Sequence, residues 1–517
     1  MVPPDKIYSF RIRIDYRYLL FSLTDIVFRY RIGIDILHLQ KMGVKKQFSV
    51  VIIGAGPAGL TAAYELARHN IKTLVVEKDP KYVGGLAKTI KFKGCRFDIG
   101  GHRFFSKNRE IEDLWTEILG KEMLFKKRLS RILYKKKFFH YPLKPLNALA
   151  NLGLWTSTAV CLSYVGSRLF PIKREKSLED WVINRFGKKL YSIFFKTYTE
   201  KVWGIPCNKI SPDWAAQRIK DISLKEVIIR AFLGKGRDAE VIKTLIDRFR
   251  YPKYGPGMFW EKVGQLIEKN GSKVLLGSEV ISVNHDGKKV SSLTVEARGR
   301  KMDFFANYFI SSMALGDLIT SLNPEPPSRV LKAAKALKYR DFLVVALIVA
   351  KKRLFADQWI YIHDPEVKVG RIQNFGNWSP FMVSGSNATC LGLEYFCSKN
   401  EKLWNEKDSK IIEFAACELE FLGFINQKEV IDGKVFRVER AYPVYDKGYL
   451  LKIDVIKNYL ARFRNLQVIG RNGMHKYNNQ DHAMMTGLLA AWNIMGGKFD
   501  VWRVNSDAEY ISPLDKL

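Results

Sequence analysis

The chain of 517 residues is long enough for two or three domains with a full apolar core. Its six cysteines (Cys95, Cys161, Cys207, Cys390, Cys397, Cys417) form no CxxC pair, which excludes a zinc knuckle or disulfide framework and fits a reducing compartment. With 85 basic and 52 acidic residues the net charge is +33, so an anionic partner is expected; no zinc finger or RNA-binding aromatic signature is present, which leaves a phosphorylated small molecule or an anionic membrane rather than nucleic acid.

Residues 1–46 alternate Arg with Ile, Tyr and Phe and lack a signal peptide's apolar span, so they read as an N-terminal extension, within which Met42 is the expected natural start. Residues 47–105 open a dinucleotide-binding domain. In "FSVVIIGAGPAGLTAAYELARHNIKTLVVEKD" a short apolar strand is followed by a turn, a helix over Ala58–Ala67 and a second strand. Gly54, Gly56 and Gly59 occupy the GxGxxG positions for a tight turn, close pyrophosphate approach and helix packing, and Glu77 ends the second strand where a carboxylate accepts ribose hydroxyls. The pairs Gly84-Gly85 and Gly100-Gly101 then suit the passage of a chain close to a large flat ligand.

Residues 106–247 read as a helical insertion. Within it, Tyr141–Phe170 carries no charge between Lys144 and Arg168, and a substrate- or membrane-facing helix is expected over 145–167 rather than a span. Residues 248–327 return to the dinucleotide domain, residues 328–440 read as a substrate-binding sheet with a helix, and residues 441–517 close the cofactor site and form the tail. In that last part, "HKYNNQDHAMMTGLLAAWNI" (475–494) crowds polar side chains against an apolar helix. It reads either as a polar cap or as a helix N-terminus aimed at a cofactor. No metal site is indicated.

Together "GAGPAGL", "GGLAKT", "DIGGHRFFS" and the C-terminal "VIGRNGMHKYNNQDHAMMTG" resemble the FAD-dependent amine oxidase and UDP-galactopyranose mutase superfamily, with the eukaryotic-type mutases and their bacterial relatives most similar. The resemblance implies an α/β fold: a glutathione-reductase-like Rossmann domain for FAD, a helical insertion and a mixed-sheet substrate domain. By the same resemblance FAD is held by Gly54, Gly56, Pro57, Ala58, Gly59, Glu77, Gly84, Gly85, Leu86, Gly101, His102, Val280, Gly470, Arg471, Asp481, His482, Ala483 and Met484.

It implies that Arg218, Arg371, Tyr361, Tyr442 and Tyr477 grip a substrate diphosphate with His102 beside the flavin, and that Tyr141, Tyr198, Trp203 and Trp359 complete the substrate site. Arg suits such a grip because its planar fork holds two phosphate oxygens. Leu143 and Lys144 stand where the mutases place uridine contacts, so the base is left open. The implied activity is a sugar-nucleotide mutase of surface-polysaccharide synthesis, with reduced flavin N5 as nucleophile at the anomeric carbon and NAD(P)H as a reductant. An oxidoreductase of the amine oxidase, protoporphyrinogen oxidase or desaturase type is the alternative, and a flavin-free carrier of the same fold is a third. The expected location is the cytoplasm, with peripheral contact at the inner face of an anionic membrane.

Overall fold

A computed structural model describes residues 48–212, 248–385 and 387–505. Arg218, in the proposed diphosphate grip, lies outside the described residues, as does the extension 1–46.

The first strand, β1 (Val50–Ile53), is four consecutive buried aliphatic residues, the pattern of a parallel strand covered on both faces. It centres a five-stranded parallel sheet in the order 466–468, 308–311, β1, 73–76, 273–275. Helix α1 (Pro57–Arg68) follows β1 through a turn in which Gly54 has φ +97°, a conformation that favours glycine. Against this domain stands a small sheet of strands 300–305, 290–297, 278–285 and 322–323.

The substrate region is a seven-stranded mixed sheet in the order 430–443, 339–349, 389–397, 371–374, 359–362, 130–134, 137–140. Its last hairpin comes from the segment read as a helical insertion, and strand 123–127 of that segment pairs with 248–252. The insertion is therefore partly strand. Its apolar stretch is also two helices: Pro145–Leu152 ends at Gly153 (φ +80°), and α2 (Leu154–Leu169) begins there. At about 24 Å, α2 is shorter than the roughly 30 Å apolar layer of a bilayer, and no helix among the described residues is long and apolar enough to cross a membrane.

The chain returns to the parallel sheet at its end. Helix α3 (Gln480–Ile494) packs on α1 so closely that a Cβ on Gly487 would lie 2.3 Å from the Ala58 carbonyl oxygen. Its buried residues run unbroken from Asp481 to Ala491, which explains its almost wholly apolar sequence.

Candidate active site

The dinucleotide cradle is made of backbone. Gly56 precedes α1 and has no side chain to cap it, and Pro57 at the first position has no N–H, so the Ala58 and Gly59 amides are left to an anion. A Cβ on Gly59 would sit 2.0 Å from the Gly54 carbonyl oxygen, and one on Gly54 would sit 2.2 Å from Ser312 Oγ. The second glycine loop lies on the first: Gly84 N–H donates to the Ala55 carbonyl at 2.7 Å, and a Cβ on Gly85 would be 3.1 Å from Gly56 Cα. Leu86 continues that loop in a short 3-10 turn.

Glu77 stands at the end of its strand. Its carboxylate accepts from the Ala55 N–H at 2.6 Å and the Asp79 N–H at 2.8 Å, and burial raises its pKa. Each oxygen keeps a lone pair for a ribose hydroxyl. The Ser278 N–H donates to the Glu77 carbonyl, so Val280 follows two residues along the strand at this edge.

At the other end of the cradle, Gly470 faces α1 with Cβ room of 3.1 Å to Ala58 Cβ, and its N–H donates to Thr486 Oγ1 of α3. His482 Nδ1 accepts the Asn479 N–H at 3.1 Å, so this imidazole closes the cap of α3. Asp481 and Ala483 are buried beside it, and Met484 sulfur takes the Trp115 indole N–H at 3.1 Å. The side-chain nitrogen of Gln480, at the first turn, is buried without a protein partner. The helix start thus combines a self-contained cap with one donor left for a ligand. The glycine cradle, the carboxylate and this donor fit FAD.

Beyond the cradle lies a cluster of guanidinium and phenol groups. Arg371 stands opposite Glu394 on the adjacent strand, and its Nε donates to Glu394 Oε2 at 2.9 Å with a second bond from Nη2. Glu394 is fully buried, and its other oxygen accepts from Gln373 at 2.8 Å. Arg371 Nη2 also reaches the Tyr442 hydroxyl at 3.5 Å. Tyr442 stacks on Tyr477 (5.6 Å, 19°), and the Arg471 guanidinium lies 4.9 Å from the Tyr477 ring centre and 5.5 Å from that of Tyr442. Arg471 thus stands in this cluster, with its Nε and Nη1 donating to the Asn478 and Ala441 carbonyls.

Tyr361 bridges two more rings: Tyr141 at 4.6 Å and Tyr198 at 5.5 Å. Tyr198 lies flat on His363 (4.7 Å, 8°), and burial holds its hydroxyl pKa well above normal. Tyr442 is pushed up to about 12 by burial. Both phenols therefore stay protonated and can donate. A π-helical turn at Tyr191–Lys196 precedes Tyr198 and Trp203, a widening common at functional sites.

His102 joins cradle to cluster. Burial, with the positive charges of Arg471 and Arg371, pushes its pKa down to about 4, and its Nε2 bonds the Ile99 carbonyl at 2.7 Å. It is neutral at pH 7. The Gly100-Gly101 pair packs on the charged pair's surroundings: a Cβ on Gly101 would be 2.9 Å from Gln373 Nε2, and one on Gly100 would be 3.7 Å from Glu394 Oε1. Trp203 and Trp359 are both buried; Trp203 sets its edge on Tyr442 and Tyr477, and Trp359 stacks on Trp378 at 5.2 Å, in the core.

Two polar residues of this region escaped the sequence reading. Glu394 is a lone carboxylate inside the apolar run "TCLGLEYFC", a pattern that signals a buried charge partner. Arg128, whose Nη2 donates to the Tyr141 carbonyl at 2.7 Å and whose guanidinium lies 5.4 Å from that ring, sits in a lysine-rich stretch with no motif to mark it.

Known proteins bear on this arrangement. Residues 52–118 match the NAD(P)-binding Rossmann-like domain family. The chain is 27% identical over 258 residues to dTDP-fucopyranose mutase of Escherichia coli, covering 48% of this chain and 58% of that protein. It is 23% identical over 340 residues to L-amino-acid oxidase of Echis ocellatus, covering 62% and 63%. The chain thus spans less than two thirds of either relative. A crystal structure of reduced UDP-galactopyranose mutase superposes with a TM-score of 0.77 at 21% identity, over 89% of this chain and 99% of that one. The chain therefore has the fold of the reduced UDP-galactopyranose mutase structure, with a Rossmann-like dinucleotide-binding segment at residues 52–118.

Proposed function

We propose that the protein is an FAD-dependent sugar-nucleotide mutase. The observation that carries this reading is the pair of guanidiniums, Arg371 and Arg471, set among tyrosine hydroxyls beside His102 and the glycine cradle. Among the described residues one buried carboxylate, Glu394, bonds to Arg371, and Arg471 is held by carbonyl oxygens, so an anion is favoured between them.

Bound reduced FAD supplies a nucleophilic centre for the anomeric carbon, with NAD(P)H as the proposed source of its electrons. The chain's own residues bind and balance charge. Glu394 fixes one edge of Arg371, leaving Nη1 to a phosphate oxygen. Tyr442, Tyr361 and Tyr198 donate hydrogen bonds without adding fixed charge, so the departing diphosphate is stabilised where its charge grows. Neutral His102 donates its Nε2 proton to the Ile99 carbonyl, which fixes the ring.

The stacked rings Tyr198–His363 and Tyr442–Tyr477, with Tyr141 tilted against Tyr361, favour a second reading, oxidation of an amine or other flat substrate, in keeping with the likeness to L-amino-acid oxidase. One experiment separates the two. The purified holoprotein, reduced with dithionite, is incubated with a panel of pyranose and furanose nucleotide-sugars and the products are resolved by chromatography. Interconversion supports the mutase. Its absence, together with anaerobic bleaching of the oxidised protein by an amine, overturns it.

A further inference from the structure

We propose that the outer face of α2 docks on an anionic membrane surface, with the helix lying in the plane of the interface. The helix is apolar on two sides. Its inner side is anchored by Val160, which is buried in an apolar cluster, by Ser163 Oγ, which accepts from the Lys189 N–H, and by Gly187 packed on the Tyr164 backbone. Among the described residues its outer side still exposes large apolar side chains, with Leu154 79%, Trp155 89%, Leu162 68% and Leu169 68% exposed. Trp155, Leu162, Val165 and Leu169 recur at helical spacing and form one stripe, extended by Leu146 before the helix and Phe170 after it. A bare stripe of this kind marks a contact surface.

Charge selects the occupant. From Lys135 to Lys176 the chain carries Lys135, Lys136, Lys137, Lys144, Arg168, Lys173, Arg174 and Lys176 against a single acid, Glu175, which is itself paired with Arg185 at 2.6 Å. A second copy of the chain would set one cationic rim against another. Residues 1–46, with nine Lys or Arg against four Asp or Glu, share the sign of that rim. Anionic lipid headgroups meet the rim, and the apolar stripe enters the acyl boundary beneath them. This inference does not rest on the mutase reading, because vesicle binding needs no substrate.

The test is co-sedimentation of the full-length holoprotein with vesicles of phosphatidylcholine alone or mixed with phosphatidylglycerol. Binding is expected to the mixed vesicles only and to weaken with salt. Trp155→Ser/Leu162→Ser should lower the partition coefficient about tenfold or more, and Lys173→Gln/Arg174→Gln/Lys176→Gln should do the same while flattening the salt dependence. Flavin absorbance and the thermal midpoint report that both variants fold. The proposal is overturned if the wild-type chain stays in the supernatant with mixed vesicles or if both variants sediment as it does. A wild-type dimer in analytical ultracentrifugation that Trp155→Ser/Leu162→Ser converts to monomer also overturns it, in favour of a second copy.

Discussion

The two halves of the candidate site are built from different materials. The dinucleotide cradle consists of backbone amides, carbonyls and missing side chains, so its tolerance is set by atomic contact. The guanidinium and phenol cluster consists of side chains from strands, helices and loops far apart in the chain, so its tolerance is set by charge balance. A carbon atom added to the first and a charge removed from the second should each be ruinous, for unrelated reasons.

Three experiments can break or sharpen that contrast. The largest effect is expected from Gly59→Val, whose Cβ has no room beside the Gly54 carbonyl: the protein should be recovered colourless or insoluble, read as the ratio of flavin to protein absorbance. A yellow variant with normal yield would show that the cradle is not the cofactor site. Next, Arg371→Met leaves Glu394 buried without its counter-charge and should lower stability in urea unfolding by about 3–5 kcal/mol. Arg371→Met/Glu394→Gln should restore most of that loss. If it does not, the two residues are not coupled as drawn.

The smallest effect concerns the seam between the halves. Asp98 is buried, accepts from Thr89 Oγ1 at 2.7 Å and from the Tyr251 hydroxyl, and has its pKa raised by burial from 3.8 to about 7. The folded chain therefore binds this proton more tightly than the unfolded one. The resulting stability is full below about pH 4 and is lost as pH rises through 7. Between pH 5 and pH 8 the wild type should lose on the order of 1–3 kcal/mol from this group, and Asp98→Asn should be flatter over that range in denaturant titrations. Parallel slopes would mean that Asp98 titrates normally.

The same contrast explains what could be read from the residues alone. Gly54, Gly56, Gly59 and Glu77 were legible because a backbone cradle requires particular residue types at fixed spacing, and β1 and α1 form within a residue or two of the expected bounds. The stretch 475–494 admitted two readings; the structure shows the cap, closed by His482, and beside it the buried Gln480 side-chain nitrogen without a protein partner. The cluster was legible only through family likeness, since no spacing rule links Tyr198, Arg371 and Tyr442. The Arg371–Glu394 pair depends on strand register, which a single chain does not display. The hairpin 130–140 was hidden for a similar reason, because its partner strand, 359–362, lies more than two hundred residues away.

The parallel sheet draws its strands from residues 50–76, 273–311 and 466–468. A nascent chain on the ribosome consequently cannot complete the flavin pocket until almost all of it has been translated. Helix α3, which lies across α1, arrives later still. Cofactor capture must then be a post-synthetic event, and a message truncated shortly before residue 466 would yield an incomplete, colourless product that quality-control proteases could recognise.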